Sequence, residues 1–411
     1  MPWQFFIAIL MPFLLTASNL NYASAGALPG NLPACETSPR QFQIAESFYF
    51  SADFSRDQVV FVTAVYPEER GWRFYRSDDG GRTWGESLAE GVGNMAFSPN
   101  YAQDHTILAL PFYGSATEPY IWRSQDRGAT WEKLFTPPGA PAVSRSSPMV
   151  MADTDTIYFG RSNVTGPWTD PTSRGFFRFT FTSVGAAAWE QLAYMSVNDI
   201  ALSPDFAHDQ TVFIGQFSYK INLGLLKSTD GGRTWRDSDA GIDLENHLNG
   251  TGTTETVFAP GYPADAVLFA ATDSRYYRSM DQGATWQPVY LVPYWQTNPD
   301  AMDAPHWVLS PRFTSDRHAW IEYGKVMTAD AGDTWQRASS VEMSNLAARE
   351  WCEGERCGVL LLGAMEYGEG HVGVYKSFDL GRTWHCSDEP TPAWWPDVPP
   401  VGWTFFPVIA R

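Results

Sequence analysis

Five carboxylates in this 411-residue chain lie in polar stretches where they could meet a ligand: Asp170, Asp243, Glu245, Asp300 and Asp303. Trp168, Tyr294 and Trp295 stand among them, and rings of that kind stack on sugars. Cleavage of a glycosidic bond would need two carboxyls about 5 to 10 Å apart, one acting as acid and the other as nucleophile or base. Arg161, Arg174 and His306 belong to the same stretches and complete the set of candidate binding residues. The sequence pairs no two of the carboxylates, so binding is the leading expectation and glycoside hydrolysis the alternative. The seven histidines show no metal-ligand spacing and no Asp-x-Asp-x-Asp-Gly loop occurs, so no metal is expected; Asp239 and Asp243 are the best that could be offered to a calcium ion. No cofactor is expected either.

A second set of acids has a different logic. Asp79, Asp126, Asp230, Asp281, Asp330 and Asp379 each hold the third place in an octapeptide Ser/Thr-x-Asp-x-Gly-x-Thr-Trp. The closing tryptophans are 47 residues apart from Trp84 to Trp131, then 51, 49 and 49 from Trp235 through Trp286 and Trp335 to Trp384. The 104 residues between Trp131 and Trp235 hold two periods divided at Trp189, where a degenerate copy has Val184, Ala186 and Ala188 in place of Asp, Gly and Thr. A period near 50 residues made of short strands predicts an all-β, seven-bladed β-propeller of four-stranded antiparallel blades, the third with the degenerate octapeptide. Within the octapeptide the Asp and Ser can accept backbone N–H groups, Gly permits positive φ, and the Trp opens the next strand. Six equivalent sites around a ring read as architecture rather than as six catalytic centres.

The octapeptide resembles the Asp-box, or bacterial neuraminidase repeat, of sialidases, sortilin-type receptors, xyloglucan-cleaving propellers and photosystem II assembly propellers. The resemblance covers nearly all of the chain after its leader and implies the fold, with each box locking a hairpin between third and fourth strands away from the ligand-binding face. It implies no particular activity. A sialidase of this kind would carry an Arg-Ile-Pro phrase near its start, where this chain has Pro67-Glu68-Glu69-Arg70.

A second phrase precedes the octapeptides and orders the strands: Ser203 to Phe213 in the fourth blade, with echoes at Ser51 to Phe61, Ser98 to Leu108, Ala259 to Phe269 and Ser310 to Trp320. Each blade reads as inner strand, Pro-Asp turn, second strand, variable loop, third strand, octapeptide turn and outer strand. Both repeated phrases then fall on one face, with Asp57, Asp104, Asp209, Asp265 and Asp316 as turn residues. The other face carries the long insertions, Gly160 to Gly175, Asp237 to Thr254 and Pro288 to Pro305, and is the expected binding rim. Glu68, Glu69 and Arg70 from the first blade, His247, and Glu366, Glu369 and His371 from the seventh join it.

With 44% hydrophobic and 15% aromatic residues the chain has ample core material. Twenty-eight basic against 46 acidic residues leave a net charge of −18, which repels phosphate backbones; a protein or carbohydrate ligand is expected, not nucleic acid, and the chain reads as a monomer. The apolar run Trp3 to Leu15 before Ala23-Ser24-Ala25 predicts a signal peptide over residues 1–25 and a secreted or extracytoplasmic protein with no span in the mature chain. Residues 26–40 are a lead-in, 41–389 the propeller, and 390–411 a tail that could close the ring. Four cysteines in an exported chain suggest two disulfides, Cys352–Cys357 within the last blade and Cys35–Cys386 clasping the ring.

Overall fold

The computed structural model describes residues 44–392 except 66–70, 112–119, 136–146, 162–173, 182–187, 219–223, 245–250, 273–274, 292–305, 322–323, 340, 342, 344, 354, 368–370, 388 and 390–391. Seven antiparallel sheets follow one another along the chain, each with its strands in sequence order, and together they form the expected seven-bladed propeller. One small strand crosses over: Phe217–Ser218, from the fourth blade, pairs with the start of the first strand of the fifth.

The core lies between blades rather than within them. Seven apolar clusters each unite two neighbours; Phe61 and Phe74 of blade 1, for instance, pack with Met95, Tyr101 and Ile107 of blade 2. A row of seven sheets has six seams, so the seventh cluster closes a ring. It joins Phe48, Phe50, Val60 and Val62 of blade 1 to Leu360, Leu362 and Val374 of blade 7. Arg349 of blade 7 reinforces that seam by donating to the carbonyls of Phe50 (3.1 Å) and Ser51 (2.9 Å), and burial lowers its pKa to about 10.

The octapeptide turns are built alike. In the first, Asp79 Oδ1 accepts the N–H groups of Arg82 (3.0 Å) and Thr83 (2.9 Å), Oδ2 accepts the Thr83 hydroxyl, and Ser77 Oγ accepts the Gly81 N–H (2.8 Å). Asp126, Asp230, Asp281, Asp330 and Asp379 each accept the N–H and hydroxyl of their own threonine in the same way. For Asp230 these bonds, led by the Thr234 hydroxyl, hold the pKa near 2. Partial burial opposes ionisation at Asp79, Asp126, Asp281 and Asp330, but the hydrogen bonds outweigh it and keep all four below the usual carboxylate range.

The fifth place of the turn touches the preceding blade. A Cβ on Gly128 (φ +80°) would stand 2.4 Å from the Phe61 ring, and one on Gly232 (φ +87°) 2.4 Å from Phe176. The fourth place is also left-handed but open, so Arg127 (φ 62°) and Gln282 (φ 58°) are accommodated there. Its carbonyl accepts a donor from the preceding blade: Arg76 Nε to Arg127 (2.8 Å), Lys227 Nζ to Gln282 (2.7 Å), Arg278 to Ala331 (2.9 Å) and the Trp320 indole to Leu380 (3.2 Å).

The second phrase forms a one-turn helix rather than a simple turn in four blades: Phe54–Asp57, Tyr101–Asp104, Phe206–Asp209 and Phe313–Asp316. Its serine closes on its aspartate, as Ser51 does on Asp57 (2.8 Å) and Ser203 on Asp209 (2.7 Å). The residue after the helix offers its carbonyl to the fourth-place N–H of the octapeptide, Gln58 to Gly80 and Gln210 to Gly231 at 3.0 Å each. Both repeated phrases therefore occupy one face.

Two insertions are shorter than the sequence suggested. Thr251–Thr254 belongs to the first strand of blade 5, and Pro288–Leu291 to its outer strand, where Val289 and Tyr290 pack toward Trp335 of blade 6. Outer strands are two residues long in blades 4, 6 and 7 (Arg236–Asp237, Gln336–Arg337, His385–Cys386). The others are Gly85–Leu88, Glu132–Phe135, Ala188–Ala193 and Gln287–Leu291. Cys352 and Cys357 form a disulfide across the first hairpin of blade 7. Cys386 is disulfide-bonded as well; its expected partner Cys35 lies outside the described residues, as do the expected leader, lead-in and nearly all of the tail. Among the described residues no helix is long and apolar enough to cross a membrane.

Two outcomes follow from these turns. Gly128→Ala adds a left-handed Cβ and a clash with Phe61, and should lower stability by about 2 to 4 kcal/mol in urea unfolding, whereas Gln282→Gly at the open place should stay within about 1 kcal/mol. Asp126→Ala should be less stable than the parent at pH 7. Because the folded pKa is depressed, that deficit should shrink as pH falls below about 4 and vanish once the parent carboxylate is protonated.

Candidate functional site

The face opposite the repeated turns begins, in blade 3, with two arginines. Arg161 ends the second strand and Arg174 precedes the third, so that the strand pairing sets them at the same end of the sheet. The Arg161 carbonyl accepts the Val197 N–H (3.2 Å), tying the strand end to the crossover into blade 4. The Arg174 guanidinium lies 4.9 Å from the ring centre of Tyr194, which is 51% exposed, an arrangement that offers a flat cation–π surface to solvent.

Between blades 4 and 5, Asp243 is held twice. Its N–H donates to the Tyr277 hydroxyl (3.1 Å) and its carboxylate pairs with Arg275 (2.8 Å). Burial raises the pKa of Tyr277, which keeps it a neutral partner at physiological pH. Asp239 packs against Gly224, and burial, then the Asp237 charge, raises its pKa. Among the described residues no group of three potential ligands could hold a metal ion.

The densest chemistry lies on the inner strands. Asp199 of blade 4 accepts the N–H of Thr256 in blade 5 (2.7 Å). Glu255, the residue before Thr256, accepts the N–H of Trp307 in blade 6 (2.6 Å) and has His306 Nδ1 at 3.4 Å. Asp199 keeps some exposed surface, yet its carboxyl is enclosed enough that burial, followed by the negative charge of Glu255, pushes its pKa up to about 7. Its ionisation is therefore disfavoured relative to that of an ordinary carboxylate.

Of the sequence candidates, Arg161, Arg174, Asp243 and His306 fall on this face but are spread over blades 3 to 6. Asp170, Glu245, Asp300, Asp303, Trp168, Tyr294 and Trp295 lie outside the described residues, as do Glu68, Glu69, Arg70, His247 and Glu369. Asp199 and Glu255 were absent from the candidates because both stand inside strands. A signal existed nonetheless: four residues before the second phrase stand Ser47, Asn94, Asp199 and Glu255 within inner strands and His306 two residues ahead of one, a recurrent polar place. In blades 1, 2 and 5 a register shift falls immediately before it. Asn94 uses the place to reach the Ser147 carbonyl of blade 3 (2.8 Å).

No protein-family model matches the chain, and no curated protein matches it in sequence. Solved structures share the fold. A puromycin-hydrolysing peptidase of Mycobacterium tuberculosis aligns at 12% identity and a TM-score of 0.50, over 85% of this chain and 56% of that one. YCF48 from Cyanidioschyzon merolae aligns at 13% identity and 0.44, over 83% and 94%; an oligogalacturonate lyase in complex with manganese aligns at 11% and 0.46, over 82% and 89%. At these identities the likeness is one of fold alone.

The Asp243–Arg275 pair is partly exposed, so a double-mutant cycle with alanine at both places should give a coupling of roughly 0.5 to 1 kcal/mol at low salt that falls as salt is added. A coupling of zero would mean that the Tyr277 hydroxyl alone fixes the crossover.

Proposed function

We propose that the chain is an Asp-box propeller that works outside the cytoplasm as a binding module, meeting a protein or carbohydrate ligand on the face of its long loops. The observation that carries this is the difference between the two faces. One is closed by turns whose aspartates and serines are bonded to their own backbone, which leaves little to recognise anything. The other offers the exposed Arg174–Tyr194 pair, the Asp243–Arg275 pair and the inner-strand acids. The disulfides support an oxidising compartment, and a charge of −18 argues against polyanions as ligands.

A glycoside hydrolase is the second reading, and one feature favours it: burial, followed by the negative charge of Glu255, raises the pKa of Asp199, as a general acid requires. Both acids are already bonded to backbone N–H groups of neighbouring blades, which suits a structural role at least as well.

The test is a panel of immobilised neutral and acidic oligosaccharides and extracellular-matrix proteins, probed with the purified protein. Tyr194→Ala should weaken any binding found by roughly tenfold, the scale of losing a rigid aromatic contact. Met280→Ala, which alters a residue 58% exposed on the turn face, should leave it unchanged. The reverse pattern would place recognition on the wrong face. Release of reducing sugar that disappears in Asp199→Asn would instead favour the hydrolase.

A further inference from the structure

We propose that the hairpin of residues 349–360 in blade 7 is a redox-sensitive clasp on the closing seam of the ring, shut while Cys352 and Cys357 are joined and slack once a dithiol has reduced them. Blade 7 departs from its neighbours on the turn face. In blade 1 the first strand gives way to the one-turn helix at the row where Phe50 pairs with Val60 and Val60 with Ser77. The equivalent row of blade 7 is Ala348, Leu361 and Ser377, but its first two strands run on past it for five further pairs, from Arg349↔Leu360 to Glu353↔Arg356. At about 3.3 Å per residue the hairpin stands roughly 16 Å beyond that row. The disulfide joins the fourth of these pairs, close to the tip.

The projecting part grips both neighbours. Toward blade 1, Arg349 donates to the carbonyls of Phe50 (3.1 Å) and Ser51 (2.9 Å), and the Trp351 ring centre lies 6.5 Å from that of Phe54 on the one-turn helix. Toward blade 6, Glu350 accepts two hydrogen bonds from Arg312 (2.9 and 2.7 Å), the residue that opens the helix of that blade. Side chains alternate along a strand, which is why Arg349 and Trp351 turn to one neighbour and Glu350 to the other. The double grip therefore exists only while residues 349–351 remain extended. What keeps them so is the hairpin itself, and two strands on their own in water are marginally stable. The disulfide between opposed residues removes open conformations from the alternatives and holds the pair together.

The bond is open to attack from solvent, since Cys352 is exposed and Cys357 half-buried. A thiolate of the dithiol attacks the Cys352 sulfur, the S–S bond breaks, and Cys357 leaves as a thiolate that takes up a proton. The second thiolate of the dithiol then displaces Cys352, which is protonated in turn; two electrons have passed to the protein and the dithiol departs as a disulfide. Without the staple the hairpin frays, Trp351 leaves Phe54 and Arg349 releases the two carbonyls. The ring stays whole, because Phe48, Val60, Leu362 and Val374 of the closing cluster lie within the ladders of the two blades. Only the turn-face end of the seam opens.

The experiment is amide hydrogen exchange on the intact protein before and after treatment with dithiothreitol, with alkylation and peptide mapping to show which cysteines have been reduced. Once Cys352 and Cys357 are alkylated, protection of residues 51–59 in blade 1 should fall by roughly tenfold or more, while the equivalent residues 203–211 of blade 4 stay level. Cys352→Ser combined with Cys357→Ser should show the lower protection from the start and ignore the dithiol. Trp351→Ala should lower protection of residues 51–59 with the disulfide intact. Unchanged protection of residues 51–59 after both cysteines are reduced overturns the clasp, and so does a disulfide that yields to the dithiol only when the whole propeller unfolds. If Cys386 is reduced at the same dithiol concentration, the same comparison in Cys35→Ser/Cys386→Ser isolates the hairpin. Should the Cys352→Ser/Cys357→Ser variant not fold, the wild-type reduction still decides. No ligand takes part in these measurements, so the clasp can fail while the binding function stands, and the reverse.

Discussion

The structure depends on one close approach: at the fifth place of the octapeptide the backbone of one blade meets the face of an aromatic ring or a branched side chain in the blade before it. Gly128 against Phe61 and Gly232 against Phe176 leave no room for a methyl group. Everything else in the turn keeps that approach in register. The aspartate gathers the N–H groups that the tight turn would otherwise leave unpaired, the serine holds the glycine N–H, and the fourth-place carbonyl takes a donor from the neighbouring blade. A buried aromatic side chain contributes about 1.5 to 3 kcal/mol, but only where the opposing surface fits it. The octapeptide supplies that fit at most seams of a ring whose blades have little core of their own.

Because the turns take up one end of each seam, variation is confined to the other. In blades 2, 4 and 5 the strand that presents an apolar face to its neighbour also sends, four residues before the second phrase, a polar side chain to the backbone of the next blade. Where that side chain is an amide, the seam gains a plain hydrogen bond. In blades 4 and 5 an acid takes its place, and that of blade 4 is carried into an enclosed setting. A periodic scaffold has thus acquired a local charge problem, and a local charge problem in an enclosed place is where function usually resides.

The fold was legible in the sequence because it is periodic. The tryptophan spacing gave the number of blades, and the positions of the two repeated phrases gave the face on which they meet. What the sequence obscured was of two kinds. The one-turn helices and the strand character of Thr251–Thr254 and Pro288–Leu291 arise from packing against adjacent blades, which local propensity does not report. The inner-strand acids carry no such signal, since chemistry is common in loops while Asp199 and Glu255 occupy strands. Only alignment of the repeats with one another brings Ser47, Asn94, Asp199, Glu255 and His306 into a single column, preceded by a register shift in blades 1, 2 and 5.

The outermost strands have a consequence for how the molecule meets its own copies. A sheet edge exposes a row of backbone groups that another chain could extend. In blades 4, 6 and 7 that row is two residues long, too short to seed a ladder. Where the row is longer it is interrupted, by Glu86, by Glu132 and Lys133, by Glu190, or by Pro288, which has no N–H to give. The circumference is therefore a poor template for fibril growth, and at high concentration the molecule should crowd without stacking edge to edge.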